Sequence, residues 1–262
     1  MAPAPGGAMT ALLQISDVSV HFGGVTALDD VSFEARQGEL LGLIGPNGAG
    51  KTTMLRAITG VVRPDAGTIR LIDQNITGLA THARVRLGLG LSQQLVRPFR
   101  SMTVLENVAL AAGHARTASP LAALLVRSRA PERQRALEFL DMVGIADVAE
   151  AQPANLPLGT LKRLEVARAL ALQPKLHLLD EPLAGLNHIE AARLADTIAD
   201  LNQGGLTVIL IEHNLSEVLR VCSRLVVLDN GRRIGEGPPR VVMANPIVRA
   251  AYLGGGSENA AA

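Results

Sequence analysis

The order of apolar and polar residues along the chain predicts alternating strands and helices. Residues 12–20 alternate between apolar and polar side chains, which is typical of a half-buried strand. Residues 40–44 form a continuous apolar run, which is typical of a strand buried on both faces. Further strands are predicted at residues 31–35, 68–72, 176–179, 207–211 and 224–228, and helices at residues 51–58, 104–114, 120–129, 131–143, 160–172 and 189–202.

Between residues 81 and 163 the composition and the apolar pattern change. Strand-like runs become rare, and Ala, Leu, Arg and Glu dominate. This block predicts an α-helical subdomain inserted in an α/β core. Strand–helix alternation on either side of it favours a mostly parallel sheet with helices on its faces, and we expect an antiparallel β region at one edge. The predicted domain covers residues 11–253, with frayed tails at residues 1–10 and 254–262.

Composition narrows the possible functions. Hydrophobic residues make up 48% of the 262 residues, which is typical of a globular protein, and the net charge of +1 gives no case for nucleic-acid binding. The single cysteine, Cys222, is expected to be an apolar core residue. No apolar run approaches the roughly 18 residues that a membrane helix needs, and residues 1–10 do not resemble a signal peptide.

A glycine-rich segment after the buried strand at 40–44 fits the pattern G-x-x-x-x-G-K-[ST] of a phosphate-binding loop. Glycines let the backbone N–H groups turn towards phosphate oxygens, and the following helix adds a partial positive charge. We expect Lys51 to reach the β- and γ-phosphates of a nucleotide, and the Thr52 hydroxyl to bind Mg²⁺. The predicted loop consists of Gly45, Pro46, Asn47, Gly48, Ala49, Gly50, Lys51 and Thr52.

Two later strands end in polar side chains where α/β folds bind their ligands. The strand at 176–179 is followed by Asp180 and Glu181. We expect Asp180 to hold Mg²⁺, directly or through water, and Glu181 to act as the general base on the attacking water. The strand at 207–211 leads to His213, which is placed to hydrogen-bond a γ-phosphate.

Together these motifs resemble those of the ABC transporter ATPases over about residues 11–253. The resemblance extends the Walker A motif to Thr53 and makes Gln94 the glutamine of the Q-loop, which contacts Mg²⁺ and the attacking water. It makes Asn187 part of the D-loop and His213 the switch histidine. Phe22 matches the aromatic residue that stacks on adenine in this family, although a core phenylalanine is a close alternative.

Within that family, four segments look like the ATPases of branched-chain amino acid importers: residues 97–108, 181–187, 211–214 and 245–254. The resemblance implies two membrane permeases, a second ATPase chain and an external solute-binding protein. It also implies a peripheral location on the cytoplasmic face of the membrane, with branched-chain or related small amino acids or amides as solute.

One segment departs from the family pattern. ABC ATPases complete each ATP site with a Leu-Ser-Gly-Gly-Gln signature from the other subunit. The segment here has a proline, which offers neither a hydroxyl nor an N–H, in place of the serine. Either this chain pairs with a different ATPase and one of the two composite sites is weak, or backbone N–H groups carry the contact and the change is harmless. The segment is Leu156, Pro157, Leu158, Gly159 and Thr160.

Two rival functions remain for this sequence. A soluble ABC ATPase usually carries tandem ATPase units or a long coiled-coil insert, and this chain has one phosphate-binding loop and no such heptad run. A nucleotide-gated binding module with little hydrolysis is suggested by the altered signature, but Glu181 argues against it. An unrelated P-loop kinase or GTPase would not explain Gln94 and His213 together.

Overall fold

The computed structural model describes residues 10–92, 97–114 and 129–254. Within these residues the strands form two sheets. The strands are β1 Ala11–Phe22, β2 Val25–Arg36, β3 Leu40–Ile44, β4 Ala66–Leu71, β5 Gln74–Asn75, β6 Leu89–Ser92, β7 Leu176–Asp180, β8 Thr207–Ile211, β9 Arg224–Asp229 and β10 Arg232–Gly237. The helices are α1 Lys51–Thr59, α2 Thr81–Arg86, α3 Val104–Ala112, α4 Ala130–Met142, α5 Leu158–Leu170, α6 His188–Gln203, α7 Leu215–Val221, α8 Pro239–Ala244 and α9 Pro246–Gly254.

The larger sheet has the strand order β10-β9-β3-β8-β7-β6. Its five strands from β9 to β6 are parallel, and β10 adds an antiparallel edge. Every residue of β3 and β8 is buried, as their continuous apolar runs predict. Because β7, β8 and β3 are parallel neighbours, their carboxyl ends lie at the same edge of the sheet.

The smaller sheet is antiparallel, with the order β2-β1-β4-β5. It is the predicted antiparallel β region. Strands β1 and β2 are 12 residues each and longer than predicted, because their outer ends form a hairpin whose exposed residues lack a regular apolar alternation. The prediction of a mostly parallel α/β core with an antiparallel β region is confirmed.

The stretch predicted as purely helical, residues 81–163, contains one strand that the pattern did not predict. Strand β6 has four residues and pairs with β7 in the larger sheet. It was missed because Leu89–Ser92 is too short and too glycine-rich to stand out from the helical sequence around it. The described helices after it, α3 and α4, match their predictions within two residues, whereas the helix predicted at 120–129 falls almost wholly outside the described residues.

Two apolar clusters cover the two faces of the larger sheet. Alternate side chains of β3 point to opposite faces, so Leu40 and Ile44 join one cluster while Leu41 and Leu43 join the other. The first cluster packs under α3, α4, α5 and α6, and the second packs under α1 and the antiparallel sheet. The central strands are therefore fixed from both sides, and so are the loops at their carboxyl ends.

Arg84 on α2 forms hydrogen bonds to the carboxyl end of α1. Its side chain is 1% exposed and donates to the carbonyl oxygens of Leu79, Ala57, Ile58 and Thr77 at 2.6–2.9 Å. Burial lowers the pKa of this guanidinium, and the four carbonyl oxygens accept the hydrogen bonds that water would otherwise accept. The carbonyls of Ala57 and Ile58 lie at the carboxyl end of α1, where a cation also complements the helix dipole.

We therefore expect Arg84→Met to lower the free energy of unfolding by about 2–4 kcal/mol, because buried carbonyl groups lose their charged donor. Urea denaturation of the purified chain measures this loss. The matched control is Arg86→Met, since Arg86 lies on the same helix and is exposed. Equal stabilities for the two variants would contradict the assigned role.

Candidate active site

The loop between β3 and α1 has a backbone that requires glycine at two positions. Gly45 has φ 153 and Gly50 has φ 100, both in the region that L side chains rarely adopt. A Cβ at Gly45 would lie 2.1 Å from the carbonyl oxygen of Leu228, and one at Gly50 would lie 2.7 Å from that of Ala27. The loop is therefore packed against two other strands, and its shape is fixed before any ligand binds.

Lys51 begins α1 and turns back into this loop. Its side chain is 7% exposed, and Nζ donates to the carbonyl oxygens of Gly45 at 2.7 Å and Pro46 at 2.9 Å. Burial lowers the pKa of Lys51, while the charges of Glu181 and Asp180 raise it. The ammonium is thus held at the mouth of the loop, opposite the two carboxylates.

The start of α1 adds hydrogen-bond donors to the same loop. Gly50 is the N-cap and provides no side-chain acceptor, so the N–H groups of the first helical turn have no cap from this residue. Thr52 is exposed and Thr53 half-buried on this first turn. The first turn of a helix favours anions through its N–H groups and its dipole, so this geometry suits phosphate oxygens.

Asp180 is the last residue of β7, and Glu181 follows it directly beside this loop. Burial raises the pKa of Asp180, and the neighbouring Glu181 adds to that shift, whereas the cations Arg56, Lys162 and Lys51 lower it. The backbone of Glu181 is left-handed, with φ 47. An acidic residue held in this conformation is strained, and such strain is concentrated at functional sites.

His213 follows β8 and lies near the same carboxylates. Its Nδ1 is 3.8 Å from Glu181 Oε2 and 3.8 Å from Glu212 Oε2, and its side chain is 60% exposed. The structure therefore brings together Lys51, Asp180, Glu181 and His213 at or just beyond the carboxyl ends of three separate strands, β3, β7 and β8. An exposed imidazole beside the general-base candidate is accessible to a ligand in the loop.

Glu212 was not predicted as a site residue, although its carboxylate accepts hydrogen bonds from the backbone next to His213. It is completely buried, and its Oε1 accepts from Leu183 N at 2.6 Å while its Oε2 accepts from His213 N at 3.2 Å. Burial raises the pKa of Glu212, and hydrogen bonds from the backbone N–H groups oppose the rise. A charged residue directly after four consecutive apolar residues, at 208–211, is the signal that could have found it.

Gln94 lies outside the described residues, but the structure fixes the chain on either side of it. Before it, Ser92 Oγ lies 2.9 Å from Nε2 of the buried His177 on β7, whose pKa burial lowers to about 4. After it, the backbone N–H of Arg97 donates to Glu165 Oε1 on α5 at 3.0 Å. The described residues on either side of Gln94 thus contact β7 and α5.

Phe22 lies at the end of β1 and is 50% exposed. The alternative of a core phenylalanine is therefore wrong. The hairpin turn beyond it leaves the ring accessible, as a base-stacking residue requires.

The altered signature segment lies at the start of α5, beside the predicted D-loop. Pro157 is the N-cap of α5, and Leu158 is 43% exposed. A Cβ at Gly185 would lie 3.0 Å from Leu158 Cδ2, so the two segments are in contact. Asn187 caps α6 in a reciprocal pair with Glu190. The buried residues of α5 are Lys162, Leu164, Val166, Ala167, Ala169 and Leu170.

Two further features are absent from the described part of the chain. It contains no group of three or more His, Cys, Asp or Glu residues arranged to hold a metal ion. Among the helices the structure describes, none is long and apolar enough to cross a membrane.

We expect Glu212→Gln to lower the free energy of unfolding by about 1–3 kcal/mol and to slow ATP hydrolysis. The amide NH₂ of the new glutamine would face one of the two backbone N–H groups that donate to the carboxylate. Two donors repel each other, and we expect this repulsion to displace His213. Thermal melting and steady-state ATPase rates at pH 8 measure both effects. Glu138→Gln, at an exposed position on α4, is the control; a Glu212→Gln protein as stable and active as this control would disprove the role.

Comparison with known proteins agrees with this geometry. A family model described as ABC transporter matches residues 28–184, and one described as Branched-chain amino acid ATP-binding cassette transporter matches residues 232–258. The high-affinity branched-chain amino acid transport ATP-binding protein of Salmonella typhimurium is 39% identical over 250 residues, which cover 93% of this chain and 98% of that protein. The lipopolysaccharide export system ATP-binding protein of Escherichia coli is 35% identical over 247 residues, covering 93% and 98%.

Solved structures extend the agreement to the fold. A crystal structure of the ADP conformation of an ATP-binding cassette from an ABC transporter matches with a TM-score of 0.82 and 30% identity, covering 94% of this chain and 99% of that one. The resemblance found in the sequence motifs is confirmed. The chain belongs to the ABC transporter family of ATP-binding cassettes, and it is an ATPase.

Proposed function

We propose that this ATPase powers the import of branched-chain amino acids, or related small amino acids or amides, across the cytoplasmic membrane. The observation that carries the proposal is the match of residues 232–258 to the Branched-chain amino acid ATP-binding cassette transporter model. Relatives named for lipopolysaccharide export match at 35–37% identity, so export of a lipid is the second candidate. Relatives named for branched-chain amino acid transport match at 35–39% identity, so the two ranges overlap and the match of residues 232–258 favours the first candidate.

The geometry around Lys51 supports the proposed nucleotide roles. Its ammonium and the N–H groups of the loop at residues 45–53 bind the ATP phosphates, and Phe22 stacks on the base. Glu181 takes a proton from the attacking water, and His213 donates a hydrogen bond to the γ-phosphate. Gln94 contacts the same water and couples the site to the membrane partners.

The oxygen donors at this site fit a magnesium ion. Thr52 offers an accessible hydroxyl, and Asp180 a carboxylate held beside Lys51. Few protein ligands are needed, because Mg²⁺ keeps several waters and binds phosphate oxygens. Thr52, Asp180 and Gln94 would hold it, and when bound it would neutralise charge on the β- and γ-phosphates.

The proposed assembly contains two permease subunits, a second ATPase chain and an external solute-binding protein, with this chain on the cytoplasmic face of the membrane. Residues 11–253 form the ATPase domain, and the helical subdomain proposed at about 81–163 transmits closure to the permeases. The tails predicted at residues 1–10 and 254–262 lie almost wholly outside the described residues. ATP favours the closed dimer through contacts with the γ-phosphate, and hydrolysis resets it.

The signature segment makes an asymmetric heterodimer the preferred form of that dimer. Pro157 at the N-cap has no hydroxyl for a phosphate, and Leu158 exposes an apolar side chain where the family has glycine. The Walker residues of this chain would complete a working site with the signature of the partner. The site that uses residues 156–160 of this chain would hydrolyse slowly.

In the assembled complex we expect Glu181→Gln to remove nearly all ATPase activity, because it removes the base of the working site. The same substitution at the equivalent glutamate of the partner ATPase is expected to have a small effect. Steady-state ATPase rates of the two single variants, each checked for intact assembly, decide the matter. Equal losses would contradict the asymmetry and leave the backbone N–H groups as the carriers of the signature contact.

The first test of the overall proposal is to tag the full chain in its native cell and purify it from gently solubilised membranes. Mass spectrometry is expected to find two permease chains and a second ATPase with an intact signature. Recovery of lipid-export components would favour the second candidate. Recovery from the soluble fraction without membrane partners would support a soluble ABC ATPase, and turnover unaffected by Glu181→Gln would support a non-hydrolytic binding module.

A further inference from the structure

A buried lysine on the signature helix reaches the Walker B strand of the same chain. Lys162 lies on the first turns of α5 and is 4% exposed. Its Nζ donates to the carbonyl oxygen of Glu181 at 3.3 Å. A lysine is almost never buried to this extent without partners, so its position needs an explanation beyond packing.

The carbonyl that Lys162 contacts belongs to the strained residue of the site. Glu181 has φ 47, which a residue with a Cβ adopts only where its surroundings hold it. Its N–H donates to Ile211 O at 2.9 Å, and its carbonyl also accepts from Ala184 N at 3.2 Å. The peptide groups of Glu181 are therefore fixed from β8, from the following turn and from α5.

Charge places Lys162 among the carboxylates of the site. Glu212, Glu181, Asp180 and Glu165 all favour its charged form, although burial lowers its pKa. Of these, Glu212 accepts the backbone N–H of His213, Asp180 is the last residue of β7, and Glu181 follows it. Lys162 thus supplies from α5 the positive charge that balances this cluster, as Lys51 does from the loop.

The same helix also holds the chain that leaves the Q-loop. Glu165, three residues after Lys162, accepts from the backbone N–H of Arg97 and from Arg168 at 2.8 Å. Arg168 also donates to the carbonyl oxygen of Arg97 at 3.1 Å and lies over the ring of Phe99. One face of α5 therefore contacts both the Walker B end and residues 97–99.

We propose that Lys162 is a positioning residue for hydrolysis in its own chain. The hydrogen bond from Lys162 to the Glu181 carbonyl fixes the left-handed backbone of Glu181, and this backbone sets the direction of the Glu181 carboxylate. A shift of α5 would therefore change the position of the general base. This proposal rests on the proposed role of Glu181. Lys162 itself contacts neither ATP nor water in the reaction, and its removal affects turnover more than nucleotide binding.

The test compares kcat, KM for ATP and the melting temperature of variants of the full chain in its purified complex. Lys162→Met removes the charge and keeps the length, and Lys162→Arg restores a charged donor. Glu181→Gln reports on the base itself. Lys175→Met is the control, because Lys175 is exposed.

We expect Lys162→Met to lower kcat by about tenfold to a hundredfold, the size of effect known for small misplacements of a catalytic group, with KM unchanged within about twofold. Lys162→Arg is expected to recover most of the loss, and Lys175→Met to match the wild type. If Lys162→Met does not fold, the shorter uncharged Lys162→Gln is measured by the same criteria.

Three results would overturn the inference: an unchanged kcat in Lys162→Met, equal losses in the neutral and arginine variants, or a loss that appears only in KM. The proposed function fails separately, because it predicts an inactive Glu181→Gln protein whatever Lys162 does. An inactive Glu181→Gln protein with a fully active Lys162→Met protein would therefore reject the positioning role and keep the general base.

Discussion

Hydrogen bonds between β3, β8 and β7 bring three strand ends to one edge of the larger sheet, and the site is positioned from those ends. The register pairs Leu43 of β3 with Ile211 of β8, and Ile211 in turn with Asp180 of β7. The carboxyl ends of neighbouring parallel strands lie at the same edge of the sheet. Short segments after these strands therefore bring together the phosphate-binding loop, the carboxylates and His213. Apolar clusters on both faces hold these strands, which keeps the convergence rigid.

Charge at this edge is balanced by side chains that the fold buries. Lys51 and Lys162 are almost fully buried, and they face the carboxylates of Asp180, Glu181 and Glu212. Buried charges of one sign would be costly, whereas partners and backbone hydrogen bonds offset that cost. An additional anion, the triphosphate, can therefore bind to the lysine and N–H groups on the side of α1. The carboxylates lie on the opposite side, at the end of β7.

Much of this site was predictable from the sequence, because the relevant signals are local. Glycines at 45, 48 and 50 mark a loop that requires positive φ, and the structure gives all three positive φ. The largely apolar segments at 40–44, 176–179 and 207–211 predict buried strands, and the polar residues that follow them mark the strand ends. A strand as short as β6 carries too little pattern to be found, and its place in the sheet is decided by pairing with β7.

The sequence by itself determined the family, the phosphate-binding loop and the acidic strand end, since each is written in a continuous segment. Only the tertiary structure decided the parts played by Glu212 and Lys162. Glu212 accepts an N–H from a residue 29 positions earlier, and Lys162 donates to one 19 positions later. No spacing within a helix or strand encodes such contacts, because they arise when separate elements pack together, and burial then makes each unpaired polar group too costly to leave alone.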